Sequence, residues 1–218
     1  HATIRRQRQM CIRDRHTFES KLAVSVADSY YFDTDAKHII DKCRVWSHKD
    51  NRILAKSLNS NPKIICPVRG MLEILTSWIT LLESSDKHNF VDRGLQFMGK
   101  EINNDNRCDW LMKDDGLLKL SYESLKTSYK DPEVMLIEYD VLIDKPVNTM
   151  YNVYKFLDIP PHKHDLNNIV NDYLPHDGML GLENLHVVKK ALSKTSKDPK
   201  DVLSDYVIEK YSNMEFWR

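Results

Sequence analysis

One stretch constrains this chain more than any other. Lys63-Ile64-Ile65-Cys66-Pro67-Val68-Arg69 is a short apolar run closed by a cation, and Gly70 to Leu82 follows at once. In that second part Met71, Leu72, Ile74, Leu75, Trp78, Ile79, Leu81 and Leu82 recur at helical spacing. The pattern predicts a buried strand, a sharp turn and an amphipathic helix. Arg69 falls at the carboxyl end of the strand, and Ser77 eight residues later, about two turns into the helix. Ligands of open α/β sheets bind at that carboxyl edge. A fixed guanidinium facing the start of a helix is suited to hold a phosphate there.

Two further runs extend the pattern. His38-Ile39-Ile40-Asp41-Lys42 reads as a short β-branched strand, and Ser47 with Asp50 reads as a capping box opening a helix to about Ser57. Val134-Met135-Leu136-Ile137 is a continuous apolar run of the kind found in buried parallel strands, ending in Glu138-Tyr139-Asp140. Asp144-Lys145-Pro146 opens another helix, with Pro in its first turn, and Ile159-Pro160-Pro161 stops it. Val147, Met150, Tyr151, Val153, Tyr154, Phe156 and Leu157 are expected on its buried face, and Leu117, Leu118, Leu120, Tyr122 and Leu125 on that of an earlier helix. A helix is expected between His16 and Tyr31, and Asp198-Pro199 opens a last one. Alternation of strand and helix predicts an α/β fold, a parallel β-sheet flanked by helices.

Composition narrows the function classes. The chain has 218 residues, with 32 basic and 32 acidic side chains in balance. That suits one domain and argues against a general nucleic-acid or membrane-surface binder. No apolar run is long enough to span a bilayer. Cys11, Cys43, Cys66 and Cys108 are scattered, with no CxxC, so a reduced cytoplasmic setting is expected and no metal site. Residues 7–15 resemble a translated sequencing adapter, and 1–15 are read as a non-native or disordered leader, leaving 16–218 as a single domain.

Three segments together resemble the PAPS-dependent sulfotransferases, in their bacterial and phage-type form. The first is Val68-Arg69 with Ser77. The second is Leu136-Ile137-Glu138-Tyr139-Asp140-Val141-Leu142, then Asp144-Lys145-Pro146, then Lys155-Phe156-Leu157-Asp158-Ile159-Pro160. The third is Ile40-Asp41-Lys42 with Arg44 and Trp46. The resemblance implies a P-loop-like fold and transfer of a sulfuryl group from PAPS (3′-phosphoadenylyl sulfate) to a hydroxyl or amine. The acceptor would be a small molecule, lipid or glycan. It also implies that Arg69 and Ser77 bind the 3′-phosphate and that Tyr139 lies near the adenine. Lys42 either stabilises the departing charge or is a solvated strand-end lysine. Asp41 or His38 is the candidate base for the acceptor's proton. Strand alternation puts His38 and Lys42 on one face and Asp41 on the other.

Sulfotransferases of this kind close the cofactor site with a late basic loop. Lys189, Lys190, Lys194 and Ser196 are the candidates for that role, the alternative being a solvated charged run. The chain departs from the family at Gly70-Met71, where Asp-Pro is common, and at Asp140-Val141 after Tyr139. Pro67 is expected near its strand's end, because it lacks a ladder donor. A Gly-Pro-Arg-Ser-Gly-type turn for the 5′-phosphosulfate is also missing, and the expectation is that it was lost with the N-terminus, leaving a chain that could be inactive. Two other functions compete. A nucleotide or nucleoside kinase of the P-loop class would want a Gly-x-x-x-x-Gly-Lys-Ser/Thr run, which the sequence lacks. A binding protein without catalysis is the other. The sequence carries no signal of acceptor identity or oligomeric state.

Overall fold

The computed structural model describes residue 18 and residues 21–30, 33–85, 88–170, 177–182, 185–194 and 197–218. The leader 1–15 and Ser196 lie outside the described residues. In chain order, residues 21–30 form helix α1, and α2 is Lys49–Leu58. Strand β1 (Ile64–Val68) then leads into α3 (Met71–Ser84). Three helices follow, α4 (Phe90–Phe97), α5 (Asn104–Leu111) and α6 (Leu117–Lys126). Strand β2 (Val134–Glu138) runs directly into α7 (Tyr139–Asp144), and then α8 (Pro146–Leu157). Two 3-10 turns, at Asp177–Leu180 and Pro199–Asp201, and α9 (Asp205–Tyr211) complete the described elements.

The described strands pair in parallel, with Ile64 opposite Val134 and Val68 opposite Glu138. The two carboxyl ends are therefore level. The fold is the expected α/β class, a parallel sheet flanked by helices. Pro67 sits one residue before the end of β1, exposed to solvent, where the missing N–H costs the ladder least.

Two packed groups hold these elements. Met71, Leu75, Ile79 and Leu82 repeat every three or four residues along α3 and meet Val91, Leu95, Cys108, Leu111, Leu203 and Val207 in the main core. The second group covers the sheet: Ile64, Val68, Val134 and Leu125, with Trp46, Phe216 and Trp217 against them. Leu75, Ile79, Leu95 and Leu111 are fully buried. Each contributes roughly 1.5–3 kcal/mol relative to exposure. Asp92, at 1 % exposure, is the buried charge beside this core. The Arg107 Nε and Nη2 donate to its two oxygens at 2.8 and 2.7 Å, and Asn89 Nδ2 donates to it at 2.9 Å. Full pairing is what makes a buried carboxylate tolerable.

Several sequence expectations are corrected. Residues 38–43 are irregular and exposed, not a strand, and Ile40 stands almost wholly in solvent. Among the described residues no neighbouring strand offers this run a ladder, and an unpaired strand has no partner for its backbone groups. The cap of α2 is His48, whose Nδ1 accepts from the Asp50 N–H; Ser47 is buried and bonds the Cys66 thiol instead. Val147 and Tyr151 of α8, and Leu120 of α6, are exposed rather than core, because each helix buries a narrower face than its apolar content suggests. The last helix starts at Asp205, after the 3-10 turn that Asp198 caps.

Candidate functional site

The level register of the two strands brings the candidate residues together. Val68 and Glu138 face each other, so the residues that follow them, Arg69 and Tyr139, leave the sheet side by side. The guanidinium carbon of Arg69 lies 4.4 Å from the centroid of the Tyr139 ring. This cation–π contact holds the guanidinium over the ring. Arg69 Nε donates to Glu73 Oε2 at 3.1 Å, one turn along α3. Both side chains are largely shielded, at 18 and 25 % exposure. Arg69 Nη2 is buried and has no hydrogen-bond partner among the described residues. A buried guanidinium donor left open is costly, and an anion at this edge would satisfy it.

Ser77 is exposed and stands one turn beyond Glu73 on the same helix face. Arg69, Glu73 and Ser77 thus share one side of the strand–helix unit. Gly70 caps α3 with no side-chain hydrogen bond. A Cβ at this position would come within 2.8 Å of Glu215 Oε1. The segment carrying Glu215 continues to Arg218, whose Nε donates to Glu138 Oε2 at 3.0 Å. Sequence reading did not identify Glu73, Glu215 or Arg218. An acid four residues after Arg69 was a usable signal for the first. The other two are brought here from far along the chain and carry no local signal.

Of the late lysines, Lys194 reaches this edge. Its Nζ donates to Asp140 Oδ1 at 3.0 Å. That bond raises the lysine pKa, with the field of Glu73 adding to it and that of Arg69 opposing it. Asp140 is therefore an ion-pair partner in the first turn of α7. Lys189 and Lys190 are exposed on another path, where the Lys190 carbonyl accepts from the Ile169 N–H at 2.8 Å. No described hydrogen bond or ion pair joins either to Arg69, Tyr139 or Asp140.

The upstream candidates are placed differently from expectation. With no strand at 38–42, alternation no longer sorts His38, Asp41 and Lys42 onto faces. All three are exposed. Asp41 Oδ2 accepts from Trp46 Nε1 at 2.6 Å, so the carboxylate expected as a base is engaged as an anchor. Trp46 carries that anchor onto the sheet group beside Ile64 and Val68. Trp46 therefore ties this turn to the sheet group.

A cleft of about 490 Å³ opens elsewhere, lined by Asp109, Lys113, Lys119, Lys210, Tyr211 and Met214. None of the Arg69 group lines it. Three of its lining residues, Asp109, Lys210 and Tyr211, join α9 to α5 together with Tyr206: Tyr211 Oη, Lys210 Nζ and Tyr206 Oη donate to the Asp109 carboxylate at 2.8–2.9 Å. Among the described residues no group of three or more His, Cys, Asp or Glu side chains could hold a metal, and no helix is long and apolar enough to cross a membrane.

Comparison with known proteins bears on this arrangement. A family model described as sulfotransferase domain matches residues 18–176. That span includes β1, α3, β2 and α7, the elements that carry Arg69, Ser77 and Tyr139. A search of curated proteins gives no match.

Proposed function

The chain belongs to the sulfotransferase domain family, and we propose that it takes the sulfuryl group from PAPS and passes it to a hydroxyl or amine of a small-molecule or glycan acceptor. One observation supports the donor above the others. Arg69 is a shielded cation at the carboxyl edge of a parallel sheet, clamped by Tyr139 and Glu73, with Nη2 buried and open. That is a receptor for a terminal phosphate, and PAPS carries one at its 3′ position.

In-line sulfuryl transfer asks little covalent chemistry of the protein. Positioning and charge stabilisation carry the rate, as they do in phosphoryl transfer. In this reading Arg69 holds the 3′-phosphate by paired charged hydrogen bonds, and Ser77 adds its hydroxyl from the same helix face. Tyr139 does its work through Arg69, holding the guanidinium plane, and its ring edge meets the nucleoside. Lys194 supplies a second positive charge from beside Asp140, with Lys189, Lys190 and Ser196 as further members of the basic segment. Lys42 approaches the oxygen on which charge builds as the sulfuryl group leaves. Asp41 is occupied by Trp46, which favours His38 as the group that takes the acceptor's proton.

The direct test is calorimetric titration with PAP (3′-phosphoadenosine 5′-phosphate) and with ATP. The proposal expects PAP to bind more tightly. A preference for ATP would sink it and favour a kinase-like nucleotide site. Retained turnover by Lys42→Met would remove that lysine from the chemistry.

A further inference from the structure

Arg69 is held by more than its own backbone. Its Nε–H is taken by a single oxygen of Glu73, and its π face by Tyr139. These two contacts constrain different freedoms. The ring holds the guanidinium carbon against its face, and the carboxylate holds the Nε end. A guanidinium has five N–H donors in a rigid fork. With Nε occupied, the donors left over are those of the two terminal nitrogens, and Nη2 is buried without a partner among the described residues.

We infer that Glu73 is a positioning residue for the 3′-phosphate site: it turns Arg69 so that the terminal pair of nitrogens faces the ligand. The inference rests on the cofactor reading above. Glu73 is well placed for the task. It lies in the first turn of α3, where a carboxylate is favoured by the helix dipole. It is one turn from Ser77, the other phosphate candidate, and both belong to the rigid helix. Its own negative charge opposes the phosphate. The geometry limits that opposition, because Glu73 binds side-on at Nε rather than across the terminal nitrogens where the phosphate would sit.

The competing role is a simple charge competitor, a carboxylate that must be displaced before the ligand binds. The two roles predict opposite signs. A positioning group loses affinity when removed, and only for ligands carrying the 3′-phosphate. A competitor gives tighter binding when removed.

The experiment is titration of the full chain with PAP and with adenosine 5′-phosphate, which lacks the 3′-phosphate. Four variants are compared with the parent: Glu73→Ala, Glu73→Asp, Glu73→Gln and Arg69→Ala. Glu73→Ala is expected to lower PAP affinity roughly tenfold, about 1.4 kcal/mol, and to leave adenosine 5′-phosphate unchanged. Glu73→Asp, a methylene too short to reach Nε, is expected to follow it. Glu73→Gln keeps an acceptor at the same reach and should restore binding to within about threefold of the parent. Unchanged or tighter PAP binding by Glu73→Ala and Glu73→Asp would overturn the inference while leaving the phosphate site intact. Equal loss for both nucleotides would overturn it too, since that marks general damage to the site. If the parent shows no preference for PAP, or Arg69→Ala does not reduce it, the cofactor reading itself fails and the inference with it. Circular-dichroism melts confirm that each variant is folded before titration.

Discussion

Arg69 and Tyr139 are seventy residues apart in sequence, and the guanidinium carbon lies 4.4 Å from the ring centroid. The parallel register of β1 and β2 puts them there, because Val68 and Glu138 are opposite one another. The contact carries a requirement for shape as well as charge. Arg69→Lys keeps the positive charge but loses the planar fork and the flat face that stacks on Tyr139. It should therefore recover little of the PAP affinity lost in Arg69→Ala, as read by calorimetry. Full recovery would mean that only a point charge is needed at this edge.

The Lys194–Asp140 pair is exposed, at 55 and 41 % of the two side chains. Exposed pairs of this kind add little to folding. Lys194→Ala should leave the melting temperature unchanged. It should weaken PAP binding, and the difference from the parent should shrink as salt is raised. A salt-independent loss would point to packing rather than charge.

Acid should loosen the join between α9 and α5. Burial alone would raise the Asp109 pKa, but the hydrogen bonds from Lys210, Tyr211 and Tyr206 outweigh it and hold the carboxyl below the ordinary range. A lowered folded-state pKa means that the unfolded chain binds its proton first as pH falls. The stabilisation is present above about pH 4, the ordinary carboxylate value, and is lost as pH falls through the folded value. Lys210 and Tyr211 are shifted upward, so their share is lost at the alkaline end. Asp109→Ala should lower stability by about 1–3 kcal/mol at neutral pH and flatten the acid limb of a urea-unfolding series. An unaltered acid limb would assign it to other carboxylates.

Arg107→Met is expected to be more damaging than any change at the Arg69 edge. It leaves the Asp92 carboxyl at 1 % exposure with Asn89 as its remaining side-chain donor among the described residues. Removing one member of a buried pair costs about 3–5 kcal/mol, measurable by chemical denaturation. The double change Arg107→Met with Asp92→Leu should recover part of the loss, since no charge is then stranded.

Gly94 tests the packing of α4 on α5. A Cβ there would lie 2.4–2.8 Å from the Nε1, Cε2 and Cζ2 atoms of Trp110. That ring is held edge-on against Phe90, with centroids 5.4 Å apart. Alanine normally favours a helix over glycine. Here it should destabilise, by roughly 1–3 kcal/mol, and shift the tryptophan fluorescence. A stabilised Gly94→Ala would show that Trp110 moves aside freely.

The parts legible in the sequence were those whose signal is local. The run from Lys63 to Leu82 named its strand, turn and helix because an apolar β-prone segment ended at Arg69 and a helical period began just after Gly70. The same holds for Val134–Glu138 and for the proline that opens α8. The segment at 38–42 was misread because β-branched residues make a strand only when a neighbour completes the ladder. The engagement of Asp41 was illegible for a related reason: the Trp46 indole that bonds its carboxylate is held by the sheet group, which is a tertiary fact.

By itself, then, the sequence determined where the cation at the strand end must lie and which helix it would face, since both follow from periodicity and from the turn between them. Only the tertiary structure decided what surrounds that cation. Strand register brought Tyr139 onto its face, the first turn of α3 brought Glu73 to its Nε, and Lys194 and Glu215 arrived from distant segments. A side chain's reach covers its own helical turn, so local pattern can point to Glu73. Partners dozens of residues away are chosen by which chain segments the core brings to one edge.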